Sequence, residues 1–152
     1  MSIQNTARVL RFETGRSGDL DKPVLIEPST YEAVLVDWKV GYSAYFKKGT
    51  LHMRFRITEP GKFHDLVSPG WFNVEPSKSK TTVKAGWRSA FLRMYQSCFD
   101  IKLDRRDRIP VSQFMSHRLS VEVWTISKDS QGQPLANVNH YSRVKRVLKI
   151  IQ

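Results

Sequence analysis

Residues 51–58, LHMRFRIT, set apolar side chains at every second position, Leu51, Met53, Phe55 and Ile57, with His52, Arg54, Arg56 and Thr58 between them. A helix would scatter that apolar set around its circumference, whereas a strand sends alternate side chains to opposite faces. The segment therefore predicts a strand with one face in a core and a basic face in water. Pro60 and Gly61 end it, and the rest of the chain has to supply its sheet.

Four more strands can be read. Residues 30–40, TYEAVLVDWKV, are rich in β-branched and aromatic residues, with Tyr31, Ala33 and Leu35 set against Val34, Val36 and Trp38. Between these two strands GYSAYFKKGT, opened by Gly41 and closed by Gly49, predicts a hairpin tip that carries Tyr42, Tyr45, Phe46, Lys47 and Lys48. A third strand at residues 66–74 is interrupted by Pro69 and Gly70, which predicts an edge position or a bulge, with Trp71 and Phe72 on opposite faces. Residues 119–126 alternate as a fourth strand and SKDSQGQP turns the chain. A fifth strand is expected from Ala136, with Ser142, Val144, Arg146 and Leu148 on one side and Tyr141, Arg143, Lys145 and Val147 on the other.

Between the third and fourth strands the pattern changes. EPSKSKTTVK is polar and predicts a mobile loop with Lys78, Lys80 and Lys84. Between Val83 and Phe99 the residues Trp87, Ala90, Phe91, Met94, Tyr95 and Cys98 recur at spacings of three and four, which predicts a helix with one buried face and with Arg88 and Arg93 off it. Trp38, Trp87 and Phe91 are expected in the core. VSQFMSH predicts a helical turn anchored by Phe114 and Met115.

Three strands, a helix and two strands is the element order of an OB-fold, so the expectation is a mainly β, five-stranded OB-like barrel with one α-helix between strands 3 and 4. A ferredoxin-like fold needs two helices, and an immunoglobulin sandwich needs about seven strands. Residues 1–28 read as an irregular N-terminal arm, residues 29–152 as the folded domain. At 40% hydrophobic residues the composition is that of a chain with a real core.

Net charge is +11, and residues 77–152 hold fifteen Lys/Arg against five Asp/Glu, while residues 1–76 hold ten against nine. An excess confined to one half suggests a polyanionic partner. Binding unpaired nucleic acid needs cations for phosphates and flat rings for bases. Candidates are Tyr45, Phe46, Lys47 and Lys48 at the hairpin tip, His52, Arg54 and Arg56 on the second strand, and Trp71 on the third. Lys78, Lys80 and Lys84 come from the loop, Arg88 from the helix, and Tyr141, Arg143 and Lys145 from the fifth strand. The ordinary alternative for the cations is a solvated strand face or linker, and for Tyr45, Phe46 and Tyr141 it is a tip folded back to cap the barrel; Trp71 and Trp124 could equally stack a base or cover the helix. Arg105, Arg106 and Arg108 are interleaved with Asp104 and Asp107, so local pairing can absorb their charge.

The stretches PSTYEAVLVDWK, LHMRFRITE, the helix with Trp87 and Phe91, FMSHRLSVEVW and NHYSRVKRVL resemble, in layout over roughly residues 28–150, the single-stranded-DNA-binding proteins of phages and mobile elements. The resemblance implies an OB-type barrel that coats single-stranded DNA during replication or recombination, as a homodimer or larger assembly. RNA is not distinguished from DNA by stacking and phosphate contacts alone.

An enzyme is not expected. His52, His64, His117 and His140 have no metal-ligand spacing, the single cysteine Cys98 offers no zinc set, and no cofactor motif occurs. Asp65 and Glu75 with Lys78 have the make-up of a metal-dependent nuclease cluster, the weaker alternative, and a protein-interaction module or inhibitor acting on a nucleic-acid-binding partner is the other. One cysteine and no long apolar run predict a soluble cytoplasmic protein with no membrane partner.

Overall fold

The computed structural model describes residues 25–43, 48–77, 79–129 and 131–151. Tyr45, Phe46, Lys47 and Lys78 lie outside them, as does most of the expected arm. The strands are β1 (Ser29–Ser43), β2 (Lys48–Ile57), β3 (Val67–Val74), β4 (Leu119–Ile126) and β5 (Tyr141–Ile150). They form one five-stranded antiparallel sheet in the order β3-β2-β1-β4-β5. Helix α1 (Ala90–Phe99) and a 3₁₀ helix (Val111–Ser116) lie between β3 and β4 in the chain, and a short 3₁₀ turn (Asn137–Asn139) precedes β5.

The period of two in β2 sorts its side chains as expected: Leu51, Met53, Phe55 and Ile57 are buried and His52, Arg54 and Arg56 exposed. Ala33 and Leu35 from β1, Phe72 from β3, and Val121 and Val123 from β4 bury the same face. The helix covers it with Phe91, Leu92, Met94 and Tyr95, and Phe114 packs edge-on against Phe91 and Tyr95. Burying each such side chain is worth about 1.5–3 kcal/mol. Ile26 also belongs to this core: its N–H donates to Ser142 Oγ at 2.6 Å, and that hydroxyl donates to the Ile26 carbonyl at 3.3 Å.

The helix starts later than its apolar spacing predicts. Val83 bridges Ile109 in extended form, and Ser89 caps the helix by accepting the Leu92 N–H at 3.2 Å. Trp87, expected in the core, therefore stands in the preceding turn at 51% exposure, outside the helix whose apolar period includes it. Met115 is likewise exposed, so Val111 and Phe114 anchor the 3₁₀ helix.

Bulges correct face assignments in two strands, because one extra residue flips every side chain beyond it. In β1 the register shifts between Leu35 and Asp37, which returns Trp38 to the core side opposite Met53. In β5, Val123 pairs with Val144 but Glu122 with Arg146, and Val121 pairs with Val147 but Ser120 with Lys149. Val147 is consequently buried, and Arg146 points outward instead of sharing the face of Val144.

Pro69 and Gly70 sit in an edge strand without a bulge, one of the two expected outcomes. The hydrogen-bonded ladder ends at β3 and β5, yet these edges touch. A Cβ placed on Gly70 would lie 3.0 Å from the Val144 carbonyl oxygen, and the Arg143 Nη2 donates to the Trp71 carbonyl at 2.8 Å.

Candidate functional site

The contact between β3 and β5 creates the most concentrated group of expected site residues. Trp71 points outward because Phe72, its neighbour, is committed to the core. The Arg143 guanidinium carbon lies 4.4 Å from the Trp71 ring centroid, and the Tyr141 ring lies 5.9 Å from it at 32°. A cation over an indole face contributes about 0.5–2 kcal/mol. Arg143 Nε is buried without a hydrogen-bond partner, and burial pushes the pKa of this arginine below its usual value, although it stays charged at neutral pH.

The row extends to both sides. Trp124 of β4 is opposite Arg143 in register and 45% exposed, with Lys145 Nζ 5.0 Å from its ring. The β5 bulge turns Lys145 and Arg146 outward in succession. On the other side His52 is opposite Trp71, and Lys39 of β1 is opposite His52. Trp71, Tyr141, Arg143, Lys145 and His52, distant in sequence, thus meet on the outward side of neighbouring strands. Lys39, absent from the expected set, joins them, as does Trp124, which the sequence left open between a stacking ring and a cover for the helix. Both stand on the polar side of an alternating strand, and only the cross-strand register shows which neighbours they meet.

Arg54 and Arg56 face outward as the alternation requires, but each has an acid. Arg54 Nε donates to Asp37 Oδ1 at 2.8 Å and its Nη2 meets Oδ2; Arg56 Nη1 lies 3.1 Å from Asp65 Oδ1. The Arg54 hydrogen bond holds the Asp37 carboxyl below its usual pKa. The expected stripe of unopposed cations on β2 is therefore largely neutralised. The pairs are exposed, so each is worth about 0–1 kcal/mol and a phosphate can compete for the arginine.

The remaining candidates are dispersed. Lys84, expected in a mobile loop, is fixed in a bridge with Glu75, its Nζ 3.8 Å from that carboxylate. Glu75 also accepts from Arg106 Nη1 at 2.5 Å, which holds its pKa low. Lys80 lines a 410 Å³ cleft with Trp38, Lys39, Val40 and Tyr42. Lys48 is exposed at the start of β2, and Arg88 stands in the turn ahead of α1, with no polar contact among the described residues. Arg105 pairs with Asp107 at 2.9 Å, as the interleaving predicts.

Asp65 and Glu75 do not converge. They flank the two ends of β3, whose eight residues span roughly 26 Å, and each is engaged by arginine. The nuclease cluster read from sequence is thus not assembled, and among the described residues no three His, Cys, Asp or Glu side chains come together to hold a metal. The Cys98 thiol donates to the Val147 carbonyl at 3.5 Å, and burial pushes its pKa up to about 11.

Comparison with protein-family models, with curated proteins and with solved structures finds no match for this chain. Among the described residues no helix is long and apolar enough to cross a membrane.

Proposed function

We propose that this protein is a non-enzymatic binder of single-stranded DNA, and that its sheet is an OB-type barrel closed at the β3–β5 edge. Support for the barrel comes from β1 lying between β2 and β4, from the parallel course of β3 and β5, from their close approach at Gly70, and from the helix between β3 and β4. This agrees with the layout shared with phage and mobile-element single-strand binders.

The observation that carries the functional reading is the outward row Lys39, His52, Trp71, Arg143, Trp124, with Tyr141 and Lys145 beside it. Trp124 makes no contribution to the core that would account for an exposed indole on a strand. In this reading unpaired bases stack on Trp124 and on the Trp71–Tyr141 pair, while Lys39, Lys145 and Lys80 meet phosphates. Arg54 and Arg56 exchange a carboxylate for a phosphate as the strand docks. Arg143 holds the edge together and keeps the Trp71 ring in place. The selectivity for single strands follows from the rings, which a duplex cannot reach with its bases stacked.

Tryptophan fluorescence titration with oligo-dT, duplex DNA and oligo-U tests the reading. The expected result is preference for single strands, a steep fall in affinity with salt, and a loss of roughly 5- to 150-fold for Trp124→Ala, the range for one stacked base. Binding that ignores salt, a preference for duplex, or full affinity in Trp124→Ala with Lys145→Glu refutes it. Equal binding of oligo-U would widen the substrate to RNA.

A further inference from the structure

The ladder of β1 with β2 runs to Ser43, but its ladder with β4 covers only Ser29 to Ala33. From Val36 to Tyr42 the second edge of β1 has no strand partner among the described residues. Such an edge offers a row of unpaired N–H and C=O groups to any strand that can lie beside it. Three large apolar side chains stand there in water: Val36, Val40 and Tyr42, at 37%, 39% and 57% exposure.

The side chains on this edge identify the strand that fits it. Asp37 and Lys39 share the outward face, opposite Arg54 and His52, and Trp38 between them turns to the core side. When the strand is laid antiparallel to a copy of itself about a two-fold axis at Trp38, Asp37 faces the partner's Lys39, and Lys39 faces the partner's Asp37. A two-fold axis normal to the sheet must pass through a residue, since it keeps every side chain on its own face. Moving it one residue either way opposes Asp37 to Asp37 or Lys39 to Lys39, like charges in direct register, which destabilise. The central register is the one that the charges select. It also places an acid directly opposite Lys39, which makes no ion pair among the described residues and feels its own chain's Asp37 only at a distance.

We infer that the β1 edge at Asp37, Trp38 and Lys39 pairs antiparallel with the same edge of a second copy of this chain, through two reciprocal Asp37–Lys39 ion pairs. The two sheets then become continuous, and the outward rows beginning at Lys39 meet at the axis. In the assembly two binding faces lie on one surface. The inference needs only the strand edge, so it stands or falls separately from the nucleic-acid reading.

Sedimentation velocity of the full chain without nucleic acid tests it. The expected result is a dimer for the native chain. Lys39→Asp alone and Asp37→Lys alone each put like charges opposite one another twice and should weaken association by roughly tenfold or more. An equimolar mixture of the two variants restores complementary pairs and should reform a dimer. As a second readout, chains carrying Asp37→Cys and Lys39→Cys, mixed and oxidised, should cross-link to each other, because directly opposed strand positions suit a disulfide. Circular dichroism confirms that each variant folds. A native chain that stays monomeric overturns the inference, as does a dimer indifferent to both charge changes, or a mixture that neither reassociates nor cross-links.

Discussion

Gly70→Ala tests the edge contact on which the proposed barrel depends. An alanine in place of glycine normally favours a strand, by about 0.5–1 kcal/mol, because less backbone entropy is lost on folding. At Gly70 the added methyl would lie 3.0 Å from the Val144 carbonyl oxygen, 3.2 Å from Val144 Cβ and 3.3 Å from Phe55 Cε2. These three atoms cannot all retreat: Val144 is held to Val123 by the β4–β5 ladder, and Phe55 is fully buried. Overpacking of this kind costs about 1–3 kcal/mol. After the entropic gain is set against it, the expected net loss is about 0–2.5 kcal/mol, a midpoint lower by up to roughly 10 °C for a chain of this size. Gly41→Ala is the matched control, since its methyl would meet only the His52 ring at 3.9 Å, an ordinary contact. Neither glycine has a positive φ, so backbone strain does not enter. Thermal and urea unfolding of both variants decide the matter. If Gly70→Ala is stabilised as much as Gly41→Ala, β3 and β5 do not meet, and the grouping of Trp71 with Arg143 and Tyr141 fails with them.

Phe114→Ala should cost about 3–5 kcal/mol in urea unfolding, because Phe114 is fully buried among Phe91, Tyr95 and Phe99; a loss under 1 kcal/mol would mean that the aromatic cluster does not form. The carboxyls of Asp37, Glu75 and Glu122 are held low, each chiefly by an arginine hydrogen bond. Their stabilisation is present in full above the ordinary carboxylate pKa and is lost as the pH falls through the lowered values. Arg106→Ala should make the acid side of the stability profile shallower through Glu75, and an unchanged slope would count against that pair. Cys98 behaves in the opposite sense: with its pKa pushed up to about 11 from 9.0, its contribution is complete below pH 9 and declines as the pH rises toward 11. Cys98→Ala should flatten part of this alkaline decline, the rest coming from Tyr31 and Tyr95, whose pKa values burial also raises. A thiol reagent at pH 8 should label Cys98, half-buried and held protonated, more slowly in the native chain than in the urea-unfolded chain, and equal rates would show the thiol to be open.

Local pattern was enough for the strands of this protein, because burial against a common core selects one face of each strand and leaves an alternation that survives in one dimension. The burial of Leu51, Met53, Phe55 and Ile57, the outward turn of Trp71, and the element order follow from it. What an alternation cannot carry is register. The bulges at Leu35/Asp37 and in β5 insert one residue each, and they alone return Trp38 and Val147 to the core and turn Arg146 away from it. The start of α1 depended on a cap at Ser89 that the apolar spacing does not encode, so Trp87 was assigned to the wrong environment. The candidate site divides in the same way. Its residue types were legible as exposed cations and rings, but Asp37 and Asp65 neutralise Arg54 and Arg56 from seventeen and nine positions away in the chain. Trp71, Tyr141 and Arg143 meet only because two edge strands touch. Composition and periodicity decide which side chains face water; the tertiary structure decides which of them are neighbours, because charge and stacking act over a few ångströms of space and not over sequence distance.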